Sequence, residues 1–118
     1  MINLVNDTID NHDIDQLIVW LKTYPRLTKG PKTVEFEKLW AEYLGISDSI
    51  FVNSGSSAIL VALQTLIETG RLKKGDNVIV PALSWATDLS SVVHLGLTPV
   101  LCDCNLEDLS IDLDHFEY

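Results

Sequence analysis

Asn53-Ser54-Gly55-Ser56-Ser57-Ala58 lies between a short apolar run and a long apolar segment. Small residues at a strand-to-helix turn leave backbone N–H groups free at the positive end of a helix dipole, and the Ser56 and Ser57 hydroxyls add donors; that is phosphate-binding chemistry. The same residues also suit a glycine turn with a serine N-cap, which any strand–helix unit can use. The run is neither a G-x-G-x-x-G fingerprint nor a Walker A sequence, which weighs against dinucleotides and nucleoside triphosphates. A second segment, Pro81-Ala82-Leu83-Ser84-Trp85-Ala86-Thr87, places an indole just after another apolar run. At the carboxyl end of a strand, where ligands collect in open α/β sheets, Trp85 can stack on a flat ring; alternatively it fills core space at a helix start.

Other reactive types carry less. Cys102 and Cys104 are two of the four ligands that a structural zinc site needs, so they read as reduced thiols, with Cys102 buried at a strand end and no metal. His94 falls at a helix C-terminus, where the dipole favours a cation. His12 and His115 carry no signal, and Asn6-Asp7-Thr8 fits a glycosylation sequon that has no meaning without a secretory leader. Lys22, Lys29, Lys32, Lys38, Lys73 and Lys74 all fall in solvent-facing helices or turns, away from a strand-end pocket that would lower an amine pKa.

The elements that must position these residues follow from periodicity and punctuation. A helix is expected from Asp13, capped by Asp13 itself and ending before Pro25, with Leu17, Ile18 and Leu21 on one face. A second has Pro31 near its first position, the stripe Phe36, Leu39, Trp40, Tyr43 and Leu44, and Gly45 as its stop. Thereafter strand and helix alternate: strand 49–52, helix 56–68, strand 77–80, helix 86–95 and strand 98–102, with turns at Gly75-Asp76 and Gly96. The strand cores Ile50-Phe51-Val52, Val78-Ile79-Val80 and Val100-Leu101-Cys102 are continuous, as in a parallel sheet covered by helices on both faces. Helix 56–68, apolar nearly all round, is expected to be buried. The acidic stretch from Glu107 to Glu117 reads as a turn followed by a helix start at Asp114. The fold class is α/β.

Composition bounds the function classes. The chain has 118 residues, 47% of them hydrophobic, with 8 Lys+Arg against 17 Asp+Glu and a net charge of −9. That charge argues against nucleic acid and anionic membranes as partners. The most apolar stretch, Ala58 to Leu66, is interrupted by Gln64 and is too short to span a bilayer. Met1 to Asp15 lacks the basic flank and apolar core of a leader, so a cytoplasmic protein is expected.

From Thr28 to Asp114 the chain resembles the pyridoxal-phosphate (PLP)-dependent sugar-nucleotide aminotransferases of the DegT/StrS type. The matching motifs are Thr28-Lys29-Gly30-Pro31 with Val34-Glu35-Phe36-Glu37, Val52 to Ala58, Lys74 to Pro81, Ser84-Trp85-Ala86-Thr87, Gly96-Leu97-Thr98-Pro99-Val100 leading to Asp103, and Ile111-Asp112. Several linked motifs are more specific than any one, and they favour the ligand reading of both segments above. The resemblance implies the N-terminal part of the large domain of a fold type I (aspartate aminotransferase-like) transferase. Residues 1–30 would form an arm and helix, and residues 31–118 an incomplete cofactor-binding domain with its first three strands. Gly55, Ser56 and Ser57 would hold the cofactor phosphate, Trp85 would stack on the pyridine ring, and the turn at Thr28 to Pro31 would lie near the substrate.

Members of the family are about three times as long and carry their Schiff-base lysine beyond the equivalent of this chain's end, so no catalytic residue is identified here. The implied activity of the whole protein is transfer of an amino group from an amino acid, usually glutamate, to a nucleotide-linked keto-sugar. Such amino-sugars serve surface polysaccharide biosynthesis, and the family works as homodimers. A sugar-nucleotide dehydratase of the same fold is the alternative, as is a non-catalytic remnant.

Overall fold

The computed structural model describes residues 5–116. The chain forms two compact units, Met1–Phe51 and Val52–Tyr118. Residues 1–4 of the N-terminal segment and Glu117 of the acidic tail lie outside the described residues.

The first unit holds α1 (Asn11–Leu21) and α2 (Pro31–Leu44). Helix α1 begins two residues before the expected Asp13, because the capping residue is Asp10. Asp13 N–H donates to Asp10 Oδ1 at 3.1 Å and Asp10 N–H donates to Asp13 Oδ2 at 3.1 Å, a reciprocal box that satisfies two orphan donors. The periodicity showed the helix but not which of two aspartates capped it. Helix α2 has the expected bounds: Pro31 stands at its start and Gly45 ends it at φ 69°, a left-handed conformation that costs glycine nothing. Its aromatic stripe stacks on itself, with Phe36 and Trp40 centroids 6.1 Å apart and Trp40 and Tyr43 5.5 Å apart. Phe51 meets Phe36 edge-on at 5.4 Å.

The segment 49–52, expected as a strand, is not one. It pairs with no other strand among the described residues. An apolar run becomes a strand through the ladder it joins, and that partner is not encoded locally. In place of a ladder, Phe51 N–H donates to Glu37 Oε1 at 2.9 Å and the Ser49 hydroxyl donates to the Glu37 carbonyl.

The second unit is strand–helix alternation around one parallel pair. Helix α3 (Gly55–Glu68) leads through a turn to β1 (Asn77–Pro81), then α4 (Ala86–His94), β2 (Thr98–Cys102) and a short α5 (Leu113–Phe116). β1 and β2 are parallel in the register Asn77 to Thr98 and Pro81 to Cys102. Gly75 N–H donates to the Gly96 carbonyl at 2.8 Å and Thr98 N–H to the Asp76 carbonyl at 2.9 Å, locking the two turns that feed the strands. The core is Val80, Val92 and Leu97, joined by Leu63 and Ile67 of α3.

Parallel pairing is as expected, but cover on both faces is not. Ile79 remains 41% exposed and Leu101 54% exposed. No residue of α3 is fully buried, against the expectation from its all-round apolarity. Two strands give a helix one narrow surface to lie on, so the side of α3 that includes Val61 faces solvent.

Candidate functional site

Helix α3 starts where the sequence placed an anion cradle. Ser54 is its N-cap: Ser57 N–H donates to Ser54 Oγ at 3.2 Å, and Ser54 Oγ donates to Ser57 Oγ at 3.1 Å. The Ala58 N–H is taken by the Ser54 carbonyl at 3.0 Å. Among the described residues nothing accepts from the Gly55 and Ser56 N–H groups, and the Ser56 hydroxyl has no partner. Two backbone donors and a hydroxyl therefore stand unspent at the positive end of a 14-residue helix.

Gly55 sharpens this. Its backbone is not left-handed, and a Cβ built on it would meet nothing within 4 Å. No contact inside the chain requires glycine there, and the space beside its backbone is open. Ser56 and Ser57 are half-buried.

Trp85 is the N-cap residue of α4, four positions after β1 ends at Pro81. Its indole is 74% exposed, so it does not fill the core. It stands just past the carboxyl end of β1, the edge where open parallel sheets bind ligands. Leu60, Val61, Gln64 and Thr65 of α3 share a cleft with His94 and Leu95 at the end of α4.

The remaining candidates are elsewhere. All six lysines are exposed, and three are tied to acids: Lys29 to Glu37 at 3.1 Å, Lys32 to Glu35 at 2.7 Å and Lys38 to Glu42 at 3.8 Å. Cys102 is buried at the end of β2 and its Sγ lies 3.5 Å from the Asp112 carbonyl. No cluster of three or more metal-ligating side chains occurs among the described residues. His94 closes α4, as expected. The turn at Thr28 to Pro31 belongs to the first unit. Arg26 Nε donates to Thr28 Oγ there at 2.7 Å, and a Cβ on Gly30 would stand 2.9 Å from the Arg26 carbonyl. The Phe51 N–H, and after it Lys29, hold the Glu37 carboxyl below the ordinary glutamate range. No helix of the described residues is long and apolar enough to cross a membrane. Ser54 was not among the expected ligand-site residues; a serine three positions before another, ahead of an apolar run, was the available sign.

Fold and site together define an α/β unit with unspent donors at the start of α3 and an exposed indole at the start of α4. The chain belongs to the DegT/DnrJ/EryC1/StrS aminotransferase family, whose model matches residues 8–118. It is 40% identical over 89 residues to a GDP-4-keto-6-deoxy-D-mannose 3-dehydratase of Yersinia pseudotuberculosis, covering 74% of this chain and 23% of that protein. It is 31% identical over 116 residues to the GDP-perosamine synthase of Caulobacter vibrioides, covering 98% of this chain and 30% of that protein. Among solved structures, the E. coli GDP-4-keto-6-deoxy-D-mannose-3-dehydratase with bound hydrated PLP superposes with a TM-score of 0.84 at 32% identity, over 97% of this chain and 30% of that one. The chain thus spans less than a third of the length of these relatives.

Proposed function

We propose that this chain contributes the phosphate-holding edge of a PLP-dependent enzyme that transfers an amino group from an amino acid, most simply glutamate, to a nucleotide-linked keto-sugar. What supports the reading is the set of unspent donors of Gly55 and Ser56 at the start of α3, with the Ser57 hydroxyl beside them, together with the exposed Trp85 just past the carboxyl end of β1. The cradle fits a phosphate monoester: N–H groups and hydroxyls converge on a helix N-terminus, and Gly55 leaves room for close approach. Trp85 fits a flat ring, offering an apolar face that the protein itself leaves uncovered. Bound there, the cofactor would supply the electron sink that amino-group chemistry requires. This chain's part is to hold the phosphate, set the tilt of the ring and keep water from one of its faces.

The same residues serve a second reaction, and the 40% identity to a 3-dehydratase favours keeping it in view. There the product loses a ring hydroxyl and gains no nitrogen. The two reactions differ through residues outside the chain described above, where the cofactor lysine of the family lies. A homodimer in the cytoplasm completes the proposal, and the 118 residues alone are expected to be inactive, since each of their lysines is exposed.

The test is to incubate the full-length protein with PLP, ¹⁵N-glutamate and a nucleotide-linked 4-keto-6-deoxy-sugar, then read product mass. Incorporation of ¹⁵N into the sugar supports amino transfer. Loss of a hydroxyl without nitrogen supports the dehydratase, and an unchanged sugar counts against both.

A further inference from the structure

We propose that Glu37 is an acid-operated latch of the first unit: one oxygen of its carboxylate holds both the segment 49–51 and the turn 28–31 to α2, and protonation loosens the two together. The inference is independent of the cofactor reading. Glu37 Oε1 accepts from Phe51 N–H at 2.9 Å and from Lys29 Nζ at 3.1 Å. Lys29 precedes α2 and Phe51 follows it, so a single atom ties together the two stretches that flank the helix. The Ser49 hydroxyl donates to the Glu37 carbonyl, and the ring of the adjacent Phe36 meets Phe51 edge-on at 5.4 Å.

The two arms are unequal. The Lys29 side chain is 63% exposed against 13% for Glu37, so that ion pair is screened by water and salt. Phe51 N–H is a backbone donor in a segment that joins no strand among the described residues, and the carboxylate takes the place of a ladder partner. Phe51 N–H, and after it Lys29, hold the Glu37 carboxyl below the ordinary glutamate range. The sign follows: the charged latch is closed above the ordinary glutamate pKa and is lost as pH falls through the lowered value. On protonation the bond to Phe51 N–H loses its charge assistance and the attraction to Lys29 ends in the same step. The Ser49 bond and the ring contact remain. The other charged groups around Glu37 are Lys38 and Glu42 of α2, which pair with each other at 3.8 Å, and Asp48 from the stretch after α2; all three share a cleft with Glu37. On the turn side, Arg26 Nε is committed to Thr28 Oγ.

Glutamine at position 37 keeps the shape and an acceptor oxygen and removes only the charge, so it imitates the protonated latch at every pH. Methionine at position 29 removes one arm and leaves the other. The test is amide hydrogen exchange, read by mass spectrometry on the full-length protein and its Glu37→Gln and Lys29→Met variants between about pH 7 and pH 3, with each rate divided by that of an unstructured chain at the same pH. Peptides covering 49–51 report the latch, and peptides around Ala41 report α2 itself.

In the parent, protection of 49–51 is expected to fall roughly five- to tenfold in one step below the ordinary glutamate pKa, the difference between a charged and a neutral hydrogen bond, while the Ala41 region stays protected. Glu37→Gln should begin at that lower protection at neutral pH and show no step. Lys29→Met should keep the step and move it to higher pH, because a group that lowers the Glu37 pKa is gone. Glu37→Gln as well protected as the parent at neutral pH would overturn the proposal. So would a step that persists in Glu37→Gln, which assigns it to another acid such as Asp48. A step that Lys29→Met leaves in place refutes the shared oxygen, and loss of all protection around Ala41 in the same step marks acid unfolding of the whole unit in place of a latch. If Glu37→Gln fails to fold, the parent and Lys29→Met still decide.

Discussion

Replacing Trp85 by alanine separates binding from folding. The indole is 74% exposed and caps α4 with its backbone, so its removal takes little from the core. The stability change is expected within about 0.5 kcal/mol, the range of a surface substitution. Binding is another matter. A tryptophan fully covered buries roughly 150–250 Å², so a ring laid on one face covers on the order of 70 Å². At about 25 cal/mol per Å² that is ~2 kcal/mol. Aromatic stacking adds on the order of 1 kcal/mol, giving about 2–3 kcal/mol, or roughly 30- to 150-fold in dissociation constant. The assay is titration of full-length parent, Trp85→Ala and Trp85→Phe proteins with pyridoxamine 5′-phosphate, with thermal melts alongside. Phenylalanine should recover most of the loss, since it restores a flat face. If both variants bind like the parent, within about twofold, Trp85 does not stack on the cofactor and the ring pocket lies elsewhere.

Three further outcomes test the fold beneath the site. Val92, 2% exposed beside Val80 and Leu97, is the centre of the second unit, and Val92→Ala should cost about 2 kcal/mol in denaturant unfolding of the full-length protein. Glu37 has a lowered pKa from the Phe51 N–H and Lys29, so its contribution is complete above the ordinary glutamate pKa and is lost as pH falls through the lowered value; Glu37→Gln should flatten stability against pH in that acid window. The isolated 118-residue chain, with Val61, Ile79, Val100 and Leu101 exposed around a two-stranded sheet, should self-associate, bind an apolar dye and melt broadly. A sharp melt of a monomer would show that the pair of strands suffices.

What was legible in the sequence is what the chain encodes locally. Pro31 and Gly45 mark both ends of α2 because one fixes φ and the other accepts a left-handed turn, and each acts within its own residue. Gly75-Asp76 and Gly96 likewise marked the turns feeding β1 and β2. The start of α3 was legible for the same reason, since a Gly-Ser-Ser turn before an apolar run punctuates the chain locally. The misses are non-local. Ile50-Phe51-Val52 has strand composition, yet a strand exists through a partner, and Glu37 fourteen residues upstream takes the Phe51 N–H instead. The all-round apolarity of α3 marks a surface that suits burial without saying what covers it. Tyr24 and Leu109, at φ 52° and 62°, have side chains that give no sign of a left-handed backbone.

The central claim is that the cofactor's phosphate sits on the start of α3 with its ring against Trp85. A crystal structure of the full-length protein grown with PLP tests this most directly. The account predicts phosphate oxygens within hydrogen-bond distance of the Gly55 and Ser56 N–H groups and the Ser56 and Ser57 hydroxyls, and the pyridine ring parallel to the Trp85 indole. A phosphate bound away from Gly55 to Ser57, with the indole still open to solvent, would contradict it.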